Sequence, residues 1–167
     1  MDAMIPMADI PEPQRHVGNL IRRAQQLHLA TWARVADPDV TSTQYSILAV
    51  LDRVGEASQR ELGDEVDLDR STVADLVRRM EKSGLIARRR ATGDARRNVV
   101  TLTEHGEAER ARLAPRVVDV QRELVGHLDS AESAALFRGL WSMLDRASAA
   151  SGSASAASAA SAASDRA

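Results

Sequence analysis

Apolar residues recur along most of this chain at the spacing of helices packed on one side. In QRHVGNLIRRAQQLHLATWARV, Val17, Leu20, Ile21, Ala24, Leu27 and Thr31 fall on one stripe, which predicts a long first helix. In TSTQYSILAVLDRV, Ile47, Leu48, Leu51 and Val54 follow i, i+1, i+4, i+7; Thr41 or Thr43 caps the start and Gly55 follows the end. SQRELGDEV opens on Ser58 and Glu61, the pair of a capping box. After a break at Asp67-Leu68, Asp69 stands as the N-cap of a further helix whose stripe is Val73, Leu76, Val77 and Met80, and which stops at Gly84.

The period changes at Leu85. Two strand-like runs, 85–91 and 98–103, flank Thr-Gly-Asp-Ala-Arg-Arg and predict a β-hairpin with a long charged tip. Helical spacing returns at Thr103 with Leu113, Val117, Val120, Gln121, Leu124 and Leu128 on one line. Pro115 lies inside this helix, where it removes a backbone bond or bends the chain. A last helix starts near Asp129, with Glu132 three residues on, and carries Leu136, Phe137, Leu140, Met143 and Leu144. Residues 1–13 contain three prolines and read as a flexible arm, and 147–167 are almost wholly Ala and Ser and read as a disordered tail.

A short capped helix, a turn, a second helix and a basic hairpin form a winged helix-turn-helix, so the fold class is mainly α with a small β-hairpin wing. Charge sharpens this picture. The chain carries −2 overall, yet Arg70 to Arg97 holds nine basic and three acidic residues. Because 21 of the 22 basic residues are arginine, their placement tells more than their number. They sit on the two elements a winged helix presents, which suits an anionic partner.

The candidate DNA contacts follow from groove geometry. The first turn of the helix after Asp69 carries Arg70, Ser71 and Thr72 toward base edges in a major groove. Arg78 and Arg79, off the apolar stripe, suit phosphates, as do Ser58, Gln59 and Arg60 at the preceding helix start. Arg96 or Arg97 at the hairpin tip enters the minor groove, with Asp94 holding the guanidinium.

Other chemistry is thin. Without cysteine the chain has no disulfide, thiolate metal cage or thiol sensor. The four histidines are scattered, and no nucleophile–base group or phosphate loop is present, so no catalytic residue, metal or cofactor is assigned. No apolar run reaches membrane-helix length and no signal peptide pattern opens the chain, so a soluble, cytoplasmic protein is expected.

DRSTVADLVRRMEKSGLIARRR and GDARRNVVTLTEHG, with the Asp-x-Arg-Arg pattern of Asp94, Arg96 and Arg97, resemble the MarR family of winged-helix transcription regulators. The resemblance spans about 14–146. It implies a homodimer on a pseudo-palindromic double-stranded DNA operator. It divides the chain into a first dimerisation helix (14–40), a DNA-binding lobe (41–103) and C-terminal dimerisation helices (104–146). The apolar stripes of the outer helices also call for a partner. RHVGNLIRRAQQLH is similar to a subgroup that regulates aromatic-acid breakdown. This implies a repressor released by a small aromatic or heteroaromatic carboxylate. His16, Asn19 and Arg23, on one polar line of the first helix, are the candidate ligand contacts, with Tyr45 and Trp32 as walls and His28 expected at the subunit interface. The alternatives are a DNA-binding regulator without effector and a protein-binding winged-helix adaptor.

Overall fold

The structure, a computed structural model, describes residues 10–91 and 94–145, and for 94–97 the backbone alone. Its elements run α1 (Val17–Val35), α2 (Ser42–Val54), β1 (Glu56–Ala57), α3 (Gln59–Val66), α4 (Arg70–Lys82), β2 (Ile86–Ala91), β3 (Asp94–Leu102) and α5 (Glu104–Val125). A sixth helix, α6, covers 130–145. Capping side chains mark the starts of α2 to α6, while α1 begins at His16 without one. Thr41 and Ser58 form full capping boxes with Gln44 and Glu61. Asp69 caps α4 and Asp129 caps α6, where the amides of Ala131 and Glu132 each donate to its carboxylate at 2.8 Å. Gly55 (φ 78°) and Gly84 (φ 75°) end α2 and α4 in backbone conformations that suit glycine.

The residues divide into two compact units, up to Leu124 and from Val125. In the first, α2, α3, α4 and the sheet enclose one core. Ile47, Leu48, Leu51, Leu62, Val73, Val77, Met80, Ile86 and Val100 are all essentially solvent-free in it. The sheet order is β1-β3-β2, antiparallel throughout. β1 was not foreseen: two residues show no alternation, and only Glu56↔Thr101 and Ala57↔Val100 pairing makes them a strand.

The wing also departs from expectation. Asp-Ala-Arg-Arg was assigned to a long tip, but β3 already begins at Asp94, which pairs with Ala91, before the register jumps to Arg90↔Asn98. The ladder extends further because a two-residue connection followed by a bulge keeps more backbone groups paired than an open loop does. The arm at 1–9, the tail at 147–167 and the side chains of Asp94, Arg96 and Arg97 lie outside the described residues.

α5 passes through Pro115 as one helix. The missing N–H costs one bond, and the bonds on either side hold the element together. The helix ends at Val125, short of the expected 128. The C-terminal end of the first helix is covered within its own chain: Trp32 and Ala36 bury against Val120 of α5, with Val117 and Leu124 beside them. The stripe expected to call for a partner is open in one chain, with Val17, Leu20, Ile21 and Leu27 40–60% exposed. In the second unit, α6 leaves Leu136, Phe137, Leu140, Trp141 and Leu144 exposed.

Candidate nucleic-acid interface and effector cleft

Burying Val73, Leu76, Val77 and Met80 fixes the roll of α4. At about 100° per residue, Ser71, Asp75, Arg78 and Lys82 then form the line directly opposite that stripe. Arg70 lies to one side. With Gln59, Arg60 and Gly63 of α3, it lines a groove of about 400 Å³ between the two helix starts. Residues expected to meet DNA from two separate segments thus come together. Arg79 lies to the other side, where it lines a cleft with Asp37, His105 and Arg112. It does not share the line of Arg78.

Several donors assigned to DNA already have partners within the chain. The Ser58 amide donates to Glu61 at 2.7 Å, and the Glu61 amide donates to the Ser58 hydroxyl. Ser71 and Thr72 each donate both their amide and their hydroxyl to Asp69, the hydroxyls at 2.5 Å. These bonds, that of the Ser71 hydroxyl foremost, hold the Asp69 carboxyl well below the usual carboxylate range. Each hydroxyl thereby has its lone pairs rather than its proton left for a further partner. Arg78 pairs with Asp75, Arg88 with Glu81, Arg89 with Glu56 at 2.6 Å, and Arg60 Nε stands 3.8 Å from Asp64. Such exposed pairs contribute little to stability.

A second site lies between α1 and the lobe. A cleft of about 620 Å³ is lined by Gln25, His28, Trp32, Tyr45, Val66 and Val117, among others. Tyr45 and Trp32, the proposed walls of a ligand pocket, both line it, with ring centroids 5.7 Å apart. His28 lines it too, 6.2 Å from Trp32. Gln25, His28 and Trp32 follow i, i+3, i+7, so the sequence held this line, but on a face not singled out there. The other ligand candidates are elsewhere. His16 is the exposed N-cap of α1, 3.3 Å from Glu12, and Asn19 accepts from Arg22 at 2.8 Å. Arg23 is exposed and does not line the cleft. A straight helix places His16 roughly 24 Å along the axis from Trp32. Among the described residues the cleft has no lysine or arginine in its lining, which includes Glu65 and Asp67.

The loop between α1 and α2 ties this cleft to α5. Trp32 Nε1 donates to the Val40 carbonyl at 2.6 Å, the Val40 amide donates to Asp37 at 2.8 Å, and Arg112 pairs with both Asp37 and Glu109. Partial burial pushes the Asp37 carboxyl up, but the hydrogen bonds from Arg112, Val40 and Asp39 outweigh it and leave the group below its ordinary value.

A helix-turn-helix with an antiparallel wing defines a winged-helix protein. The MarR family model matches residues 40–98. The transcriptional repressor NicR of Pseudomonas putida is 33% identical over 130 residues, covering 77% of this chain and 82% of NicR. PcaV, a transcriptional regulator of Streptomyces coelicolor solved with its natural ligand, superposes with a TM-score of 0.75 at 32% identity, covering 87% of this chain and 99% of PcaV. BpsR of Bordetella bronchiseptica, whose DNA binding is regulated by 6-hydroxynicotinic acid, superposes with a TM-score of 0.75 at 29% identity, covering 81% and 98%. The chain belongs to the MarR family and is a transcriptional regulator. Among the described residues, no helix is long and apolar enough to cross a membrane and no group of acidic and histidine side chains could hold a metal.

Proposed function

We propose that two copies of this chain, in the cytoplasm, repress transcription by binding a pseudo-palindromic DNA operator, and that a small aromatic or heteroaromatic carboxylate releases them. The observation that carries DNA reading is the juxtaposition at the lobe's surface. The outward line of α4, with Ser71 and Arg78, lies beside the groove of Gln59, Arg60 and Arg70. Thr72, Arg79 and Ser58 flank it, and Asp94, Arg96 and Arg97 belong to the wing that follows. The lobe at 41–103 would read DNA, with 14–40 and 104–146 as the dimerisation region. Two-fold symmetry then sets half-sites about 34–36 Å apart.

The effector reading rests on the cleft beside Trp32. His28, Tyr45 and Gln25 can hydrogen-bond ring substituents, and the indole offers a face. Since the cleft's lining supplies no lysine or arginine, a second copy would supply the arginine that pairs the carboxylate. Arg23 of that copy is the candidate, with His16 and Asn19 on the same exposed end of α1 as hydrogen-bonding neighbours. Release requires the effector to favour a spacing of the two reading helices that misses the half-sites, by binding that form more tightly.

Fluorescence anisotropy on a labelled fragment from upstream of the chain's own gene, against scrambled DNA at two salt concentrations, tests this. Salt-sensitive binding that prefers the upstream fragment is expected; a protein-binding adaptor shows neither trait. Arg96→Ala is expected to weaken operator binding about tenfold or more with the fold intact, a loss that minor-groove insertion would cause. Arg23→Ala is expected to leave operator affinity unchanged and to blunt release by 6-hydroxynicotinate or hydroxybenzoate. Unaltered release would return His16, Asn19 and Arg23 to a structural role, and no release by any aromatic acid would favour a regulator without effector.

A further inference from the structure

We infer that Asp75 is a specificity-determining residue that positions Arg78 to read a guanine, so that the pair selects one G·C base pair in each half-site. This rests on the proposal that α4 reads DNA. Both side chains are open to solvent, at 61% and 67%, and both lie on the line opposite the buried stripe. Arg78 Nη2 donates to Asp75 Oδ1. Of the acidic residues of α4, Asp75 is on that line, whereas Glu81 lies off it and pairs with Arg88 at the base of the wing.

A carboxylate on a surface that meets phosphates weakens binding to every sequence. It persists at no cost to recognition only where it does something a neutral residue cannot. Two such effects follow from its chemistry. A guanidinium held by a carboxylate at one edge has lost rotamer freedom before binding, and its remaining N–H donors match guanine O6 and N7. The second carboxylate oxygen can accept from the N4 amino group of cytosine, but it repels the acceptor edges of thymine and guanine. Arg78 therefore acts on a base rather than on a phosphate. Ser71, one turn before Asp75 on the same line, has its hydroxyl proton on Asp69 and presents an acceptor to a neighbouring amino group.

The test is selection from a random-sequence duplex DNA library by the full-length chain and by Asp75→Ala, Arg78→Ala and Arg78→Lys, with circular dichroism to confirm folding of each. The wild-type chain is expected to enrich a half-site containing a G·C pair. Asp75→Ala and Arg78→Ala are expected to lose about tenfold discrimination at that same position, and Arg78→Lys, which keeps the charge but not the fork, is expected not to restore it. On scrambled DNA, Asp75→Ala is expected to bind more tightly than wild type and Arg78→Ala more weakly. An Asp75→Ala motif identical to wild type, with uniformly tighter binding, would reduce the pair to a surface ion pair and overturn the inference. Loss at different positions in the two variants would overturn the positioning role. No enriched motif with the wild-type chain would sink DNA reading itself, and the inference with it.

Discussion

Asp69 carries more of the local design than any other single residue of the lobe. Its carboxylate accepts two amides and two hydroxyls, ending the loop, starting α4 and orienting the Ser71 and Thr72 oxygens at once. Because its folded pKa is depressed, its contribution is fully present above the ordinary carboxylate range near pH 4 and is lost as the pH falls through the lower folded value. Asp37, Glu81 and Glu109 are shifted in the same direction, so they add to acid sensitivity rather than offset it. Urea titrations from pH 7 to pH 2 are expected to show Asp69→Ala less stable than wild type at pH 7, with the gap closing on acidification. Asp69→Asn, which keeps an N-cap acceptor, is expected to retain most of the pH 7 stability and to show a shallower acid dependence. Asp69 was legible in the sequence as an N-cap. Its hold on the two hydroxyls was not, because that depends on side-chain rotamers that only the turned chain sets.

Between elements, α4, β2 and α5 meet closely at Thr103 and Gly106. Thr103 Oγ1 donates to the Gly84 carbonyl at 2.5 Å and accepts from the Gly106 amide at 3.0 Å. A Cβ added to Gly106 would stand 1.9 Å from the Leu85 carbonyl oxygen, so backbone would have to move. Gly106→Ala is expected to destabilise the chain by roughly 3 kcal/mol in urea unfolding, at the upper end for overpacking. Thr103→Ala is expected to cost about 1–2 kcal/mol, as the loss of a helix cap does. The joint ties the end of α4 and the start of β2 to the start of α5. Thr103 was readable as a cap. The need for glycine at 106 was not, since it arises from the approach of a carbonyl 21 positions earlier in the chain.

For the molecule as a whole, the exposed apolar surface lies on the outer helices. Leu20, Ile21 and Leu27 on α1, and separately Phe137, Leu140 and Trp141 on α6, face solvent in one chain. Exposed apolar stripes of this kind suit an interface, and under the proposed two-fold dimer each would serve both copies. On that proposal, Leu20→Glu and, independently, Phe137→Glu are each expected to shift sedimentation equilibrium from dimer mass toward monomer mass and to weaken operator binding. A mass unchanged in both variants would place the dimer contact elsewhere.

Periodicity and capping residues carried the helix order, the lobe's core and the hairpin, because those depend on contacts within a few residues along the chain. The Ser58–Glu61 box, the Asp69 cap, the Val73–Met80 stripe and the stop at Gly84 were all readable on that ground. Side-chain partnerships across the chain were beyond it. The strand at Glu56–Ala57 exists by pairing with β3, and Trp32 is buried by α5, 88 positions away at Val120. The lining of the cleft was out of reach for the same reason: both faces of α1 carry polar lines of helical spacing, and the roll of α1 against Tyr45 and Val117 brings Gln25 and His28 to this cleft rather than His16, Asn19 and Arg23. A sequence states which residues can share a face of one helix; which face meets which neighbour is set when the separate elements pack.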